Sequence, residues 1–215
     1  LPCLFPNVDL PGRAAGAWYS FYFFRGVALE AGVLASYLQE QRALRGLRRV
    51  VQLARAGGSG VRGAAALRDA LAGSGKKLFD HPRPPAEGKT AARLGQLTCD
   101  LFLTGTNAVT LNGCLVNLDM NGNRTNAMTF GPKKTVVVAG GQKVVADVPE
   151  AIRRIKSVSA PRNTKRLNLN TPCATTGFCE NCDSPQRICR VYSIIERKPP
   201  NSDITVFVCG EPMGL

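Results

Sequence analysis

Cys173, Cys179, Cys182 and Cys189 stand within one short C-terminal stretch. Pro172, Gly177 and Pro185 interrupt it, so it reads as a loop. Thiolates at short, unequal spacings can converge on one metal ion or one iron–sulfur cluster. Cys179-x-x-Cys182 supplies the chelating bite, and Cys173 and Cys189 supply the other two corners. Zinc and a [4Fe-4S] cluster both suit such a set, and the spacing matches neither a common zinc finger nor the bacterial ferredoxin run. Two disulfides, or four unpaired thiols, are the alternative readings. No secretory signal is visible, and Cys3, Cys99, Cys114 and Cys209 are scattered singly.

A second candidate site lies in three polar turns, each following a short apolar run. They are Thr104-Gly105-Thr106-Asn107, the stretch from Asp119 through Asn123 and Arg124, and Gly140-Gly141. Together they offer backbone N–H groups, hydroxyls, amides and one guanidinium, a set suited to phosphate or carboxylate. Thr104, Gly105, Thr106, Asn107, Asp119, Asn123 and Arg124 are the expected ligand contacts, with Arg124 bonding the anion directly. Gly, Asn and Thr also simply make turns. Nucleophile–base catalysis finds little support. His81 is the one histidine and sits in a Pro-rich stretch, which predicts an exposed, dispensable side chain. Asp119 and Glu211 remain as candidate carboxylate bases. Gly131-Pro132-Lys133-Lys134 reads as a tight turn with solvated lysines.

The elements that must position these residues follow from periodicity. Residues 1–17 are rich in Pro and Gly and read as irregular. The aromatic stretch from Trp18 to Gly32 reads as an amphipathic or buried helix, and 29–49 as helical. Gly57-Gly58-Ser59-Gly60 is a sharp turn, and 64–71 and 90–97 suit helices. Beyond residue 100 the apolar runs shorten to strand length: 101–103, 114–118, 135–139, 191–195 and 204–208. The run Thr135-Val136-Val137-Val138-Ala139 is continuously apolar, as for a strand covered on both faces. Asp147 can cap a following helix, with Glu150 as its box partner. Ile152, Ile155 and Val158 then face inward, and Arg153, Arg154 and Lys156 face water. Alternating strands and helices predict an α/β fold with a largely parallel central sheet and flanking helices.

Composition sets the outer bounds. The chain has 215 residues, 44% of them apolar, enough for one decorated domain or two small ones. The net charge of +13 permits an anionic partner of any class. The basic residues are spread along the chain, 13 in residues 1–90 and 15 in 91–215, without the block that marks a nucleic-acid arm. Few aromatics interleave with them, so nucleic acid is the least supported partner. No apolar run is long enough to span a membrane.

Thr104-Gly105-Thr106-Asn107-Ala108-Val109-Thr110, Leu115-Val116-Asn117-Leu118-Asp119, Gly122-Asn123-Arg124 and Phe130-Gly131-Pro132-Lys133-Lys134 closely resemble the LUD (lactate utilisation) domain family. The likeness continues through Ile152 to Lys156, Ala160-Pro161, Lys165-Arg166-Leu167, Thr171-Pro172-Cys173, Ser184-Pro185 and Arg187-Ile188-Cys189, to Glu211, Met213, Gly214 and Leu215. It is dense over 98–215 and weaker back to Gly57-Gly58-Ser59, which adds Gly58 and Ser59 to the expected ligand contacts. The resemblance implies a sheet similar to the superfamily of ribose-5-phosphate isomerase and the CoA transferases. It also implies a cytoplasmic role in organic-acid oxidation, beside an iron–sulfur oxidoreductase subunit. The cysteine loop, 171–190, marks a particular branch. Residues 1–56 depart from the family pattern, through divergence or through a frameshift or wrong start in the gene model. The expected domain is therefore 57–215. Three functions compete: binding of an anionic metabolite or nucleotide-like ligand, a non-catalytic metal or iron–sulfur protein docking on a redox partner, and nucleic-acid binding.

Overall fold

The computed structural model describes residues 20–24, 49–51, 77–79, 86–209, 212, 214 and 215. In chain order its elements begin with β1 (Ser20–Phe24), β2 (Arg49–Val51), β3 (Lys77–Leu78), α1 (Ala86–Leu97), β4 (Leu101–Gly105), β5 (Ala108–Thr110) and β6 (Leu115–Asp119). They continue with α2 (Asn123–Thr129), β7 (Lys134–Gly140), a 3-10 turn (Gly141–Lys143), β8 (Val144–Val145), α3 (Val148–Arg154), a π-helical segment (Ile155–Ser159) and α4 (Ala160–Arg166). The last are α5 (Pro172–Thr176), β9 (Val191–Ile195) and β10 (Asp203–Cys209).

One sheet has six strands in the order β1-β10-β7-β4-β2-β3, and every pair is parallel. β7 occupies its middle because Thr135 through Gly140 are buried, as a strand covered on both faces must be. Val137 of β7, Phe102 of β4 and Val206 of β10 share one core cluster with Ala127 and Met128 of α2. Phe102 and Phe207 are fully buried, each contributing about 1.5–3 kcal/mol of transfer free energy. The expected parallel α/β sheet is therefore present. A second sheet, not foreseen, has four strands in the order β8-β5-β6-β9 and is mixed. Thr106 and Asn107 alone separate β4 from β5, so the chain steps directly from one sheet to the other.

Two local readings are corrected. Ser20–Phe24 is a strand, not a helix, in register with Thr205 through Cys209 of β10. Its aromatic residues favour strand once a partner edge is available, and that edge comes from the far end of the chain. Arg154 is half-buried rather than solvated, although Arg153 and Lys156 are exposed as expected. The π segment adds a residue to the turn just beyond Arg154, so a strict 3.6-residue period misplaces its neighbourhood.

Local capping agrees with the sequence. The Asp147 carboxylate accepts from Glu150 N–H at 2.8 Å, while Glu150 Oε2 accepts from Ala146 N–H at 2.9 Å, one residue before the cap. Lys133 and Lys134 pair with Asp100 and Asp203 at the other end of the parallel strands. Between α2 and β7, Gly131 adopts φ +126°, and a Cβ there would lie 2.3 Å from the Leu97 carbonyl oxygen. Only glycine lets the chain pass that close to α1.

Candidate functional site

α2 buries Arg124, Ala127 and Met128 on one face, the i, i+3, i+4 set of a helix. That phase turns Arg124 inward, beneath the ends of β4 and β6. Its guanidinium carries five N–H donors. Nε bonds Asp119 Oδ1 at 2.9 Å, and Nη1 bonds Gly105 O at 3.1 Å and Asn117 Oδ1 at 2.6 Å. Nη2 bonds Asn107 Oδ1 at 2.8 Å and Leu118 O at 3.1 Å, and lies 2.7 Å from Asp119 Oδ1. Every donor is spent inside the protein. Asp119 Oδ2 in turn accepts from Thr125 N–H at 2.9 Å.

The network holds the link between the two sheets. Asn107 Oδ1 also accepts from Leu118 N–H at 2.9 Å, and Asn107 N–H donates to Asn117 Oδ1 at 3.1 Å. Asn107 thus extends β5 alongside β6 with its side chain. Thr106 Oγ1 donates to Ala108 O at 3.0 Å. Arg124 therefore brings Gly105, Asn107 and Asp119 together as a frame. Thr104 Oγ1 turns to its neighbour's carbonyl, Gly105 O, at 3.1 Å. Asn123 Nδ2 is spent on Gln96 Oε1 of α1 at 2.8 Å. Gly58, Ser59, His81 and Glu211 lie outside the described residues.

The sequence reading missed the cation at the centre. Lys143 ends the 3-10 turn after β7 and is 2% exposed. Its Nζ donates to Thr106 O at 3.2 Å. Burial pushes its pKa from 10.5 down to about 8, and the charges of Arg154 and Arg124 push the same way. Arg154 Nη1 donates to Asn107 O at 2.8 Å and Ser159 Oγ at 2.9 Å, and Nε to Gln142 O at 3.0 Å. Its own pKa is lowered, first by burial and then by Arg162. One peptide group joins the parts. The carbonyl of Thr106–Asn107 faces Lys143, and its N–H faces Asn117. Asn117 is fully buried, and its Nδ2 has no hydrogen-bond partner. Two signals pointed to these residues: a lone lysine between the apolar runs Val136–Ala139 and Val144–Val145, and an asparagine inside the strand 115–119.

The LUD domain family model matches residues 30–209. The chain belongs to the LUD domain family. Membership supports a role related to lactate utilisation. No curated protein matches by sequence. Among solved structures, a DUF162 family protein from Deinococcus radiodurans is similar, with a TM-score of 0.45 and 13% identity over 89% of this chain and 88% of that one. Ribose 5-phosphate isomerase from Plasmodium falciparum gives 0.35 and 16% over 55% and 53%. eIF2B beta from Chaetomium thermophilum gives 0.37 and 15% over 57% and 45%.

The cysteine loop of this LUD chain is held from within. Arg187 donates to Cys189 O at 2.8 Å, Cys182 O at 2.6 Å and Asn181 Oδ1 at 3.0 Å. Asn181 and Gly177 sit in the left-handed region, at φ 47° and 79°. Cys173 is buried on α5, with its Sγ 3.4 Å from both Thr164 Oγ1 and Thr171 Oγ1. Cys179, Cys182 and Cys189 are half-buried, and all four are free thiols. Burial raises the Cys189 pKa to about 11. Cys179 adds to this, Arg187 opposes it, and Cys173 and Cys182 add again. Yet among the described residues no three His, Cys, Asp or Glu side chains form a group that could hold a metal ion. Nor is any helix among them long and apolar enough to cross a membrane.

Proposed function

We propose that this LUD chain binds a small anionic organic acid, or a nucleotide-like relative of one, at the strand ends, in the service of lactate or related organic-acid utilisation. The observation that carries the reading is the buried ammonium of Lys143 set beside two further cations, Arg154 and Arg124. Asp119 is already paired with Arg124, so it does not offset the other two charges. A carboxylate or phosphate would relieve this repulsion, because the interaction is strengthened where water is excluded. Lys143 and Arg154 supply charge, and Asn117 Nδ2 supplies a donor that wants an acceptor. Arg124 acts as a positioning residue: it sets Asn107 and Asp119 rather than touching the anion. The test is calorimetric titration with lactate, pyruvate, oxalate, sugar phosphates, CoA esters and nucleotides. Lys143→Met should weaken the best binder by roughly 10- to 150-fold, the worth of one charge-assisted hydrogen bond. If no compound binds, or Lys143→Met binds like the parent, the site is wrong.

A second reading is supported by the electrostatic influence of the other three loop thiols, Cys173, Cys179 and Cys182, on Cys189 and by the Arg187 clamp that ties Cys182 to Cys189. In that reading Cys173, Cys179, Cys182 and Cys189 close on zinc or a [4Fe-4S] cluster, and the loaded loop docks on an iron–sulfur oxidoreductase subunit. The sulfurs as they stand are not a ligand set, so binding must draw them together. Metal content of anaerobically prepared protein decides it.

A further inference from the structure

Among the described residues β9 is the last strand of the four-stranded sheet, and β6 is its one neighbour there. The direction of its free backbone groups can be read from β6. Leu118 N–H is spent on Asn107 Oδ1, and Leu118 C=O accepts from Arg124. Both groups therefore point away from β9. Main-chain groups alternate sides along a strand, so Leu115, Asn117 and Asp119 face β9. Their register partners Ile195, Ser193 and Val191 face β6 in return. Tyr192 and Ile194 then present their N–H and C=O groups along the outer edge. Val191, Tyr192 and Ile194 are also 38%, 41% and 43% exposed. Proteins usually blunt such an edge with lysine, proline or a bulge. Val191–Ile195 carries no lysine and no proline.

Residues 190–196 read Arg-Val-Tyr-Ser-Ile-Ile-Glu. The pattern is self-complementary about Ser193. With two copies antiparallel on that residue, Tyr192 meets the second copy's Ile194, and Val191 meets its Ile195. Arg190 meets its Glu196. Apolar, aromatic–β-branched and opposite-charge pairs are the ones that stabilise adjacent strands. The same register lets Tyr192 and Ile194 exchange both backbone hydrogen bonds. A shift of two residues one way sets Arg190 against isoleucine, and the other way sets Tyr192 against glutamate. Arg190 is already oriented by the loop, through Arg187 O at 3.0 Å and Pro185 O at 3.1 Å.

We infer that β9 pairs with β9 of a second copy of this chain across a twofold axis, joining the two four-stranded sheets into one. A twofold axis brings the same patch of each copy together, which is what a self-complementary strand requires.

The test is sedimentation and light scattering from low micromolar to about 0.5 mM, a range that populates any dimer of ordinary affinity. Salt of about 0.3 M screens the +13 charge that each copy carries. A monomer–dimer equilibrium is expected. Ile194→Lys should raise its dissociation constant about tenfold or more, with unchanged circular dichroism. Arg190→Glu and Glu196→Arg should each weaken self-association by a similar factor. Mixed, these two should form a heterodimer close to the parent in affinity, because each acidic end then meets a basic one. A loosened cysteine loop in Arg190→Glu would not be repaired by mixing. A parent that stays monomeric at 0.5 mM, a dimer indifferent to Ile194→Lys, or the failure of the charge-swapped pair to associate would each overturn the inference.

Discussion

Arg124→Ala is the sharpest test of the strand-end architecture. The substitution removes five hydrogen bonds at once and leaves the Asp119 carboxylate buried without its cation. Breaking one side of a buried ion pair costs about 3–5 kcal/mol. Thr125 N–H still serves Asp119 Oδ2, and water entering the space left by the guanidinium offsets part of the rest, so the lower half of that range is expected. For a chain of this size each kcal/mol lowers Tm by about 2–4 °C, which makes the expected loss roughly 6–16 °C. Urea unfolding and calorimetry on ligand-free protein read it directly. Asp119→Asn made in the same background should cost much less than it does alone, because the charge it removes is by then uncompensated. A coupling of about 2 kcal/mol is expected from that cycle. If Arg124→Ala costs less than about 1 kcal/mol but abolishes anion binding, Arg124 is a ligand contact and not a positioning residue. If the two substitutions simply add, the network is not a unit.

Lys143 links stability to pH with a definite sign. Its folded pKa, about 8, lies below the unfolded 10.5, so below pH 8 the folded protein bears the full cost of a buried charge, and that cost lifts as pH rises from 8 toward 10.5. Lys143→Met should therefore stabilise by about 2 kcal/mol at pH 7, a cost of about 3 less one hydrogen bond, and the gain over the parent should shrink by pH 10 in urea melts. Anion affinity should likewise fall as pH rises through 8, where Lys143 loses its proton; flat affinity from pH 7 to 9.5 would contradict its role. Gly131→Ala should destabilise by about 2–3 kcal/mol, since φ +126° and the Leu97 carbonyl both oppose a methyl group there, and a thermal melt unchanged from the parent would refute that. Cys182→Ser should lower metal per chain in anaerobic preparations while Cys99→Ser does not, with metal released as pH falls and thiolates regain protons; no metal in the parent would leave the four as free thiols.

Much of the fold was legible because it depends on local pattern. The apolar runs of β4, β7 and β10 mark strands whatever they pair with, since a strand buried on both faces needs apolar residues at every position. Asp147 marks a helix start through a hydrogen bond spanning three residues. The three polar turns were correctly read as lying at strand ends. Which of their side chains are spent inside the protein was not legible, because that depends on distant partners. Arg124 looked like the anion contact because it is the one cation in those turns, but its donors are exhausted by Gly105, Asn107, Asn117, Leu118 and Asp119, which reach it only when two sheets meet. Lys143 drew no notice in the sequence, and it is the buried charge because Thr106, 37 residues earlier, closes over it. Ser20–Phe24 carries no local mark that separates strand from helix; the edge of β10 decides it, from the opposite end of the chain. Local periodicity determines which segments become helix or strand, whereas pairing, burial and the spending of hydrogen-bond donors are set by contacts between residues far apart in sequence, and only the tertiary structure brings those residues within reach.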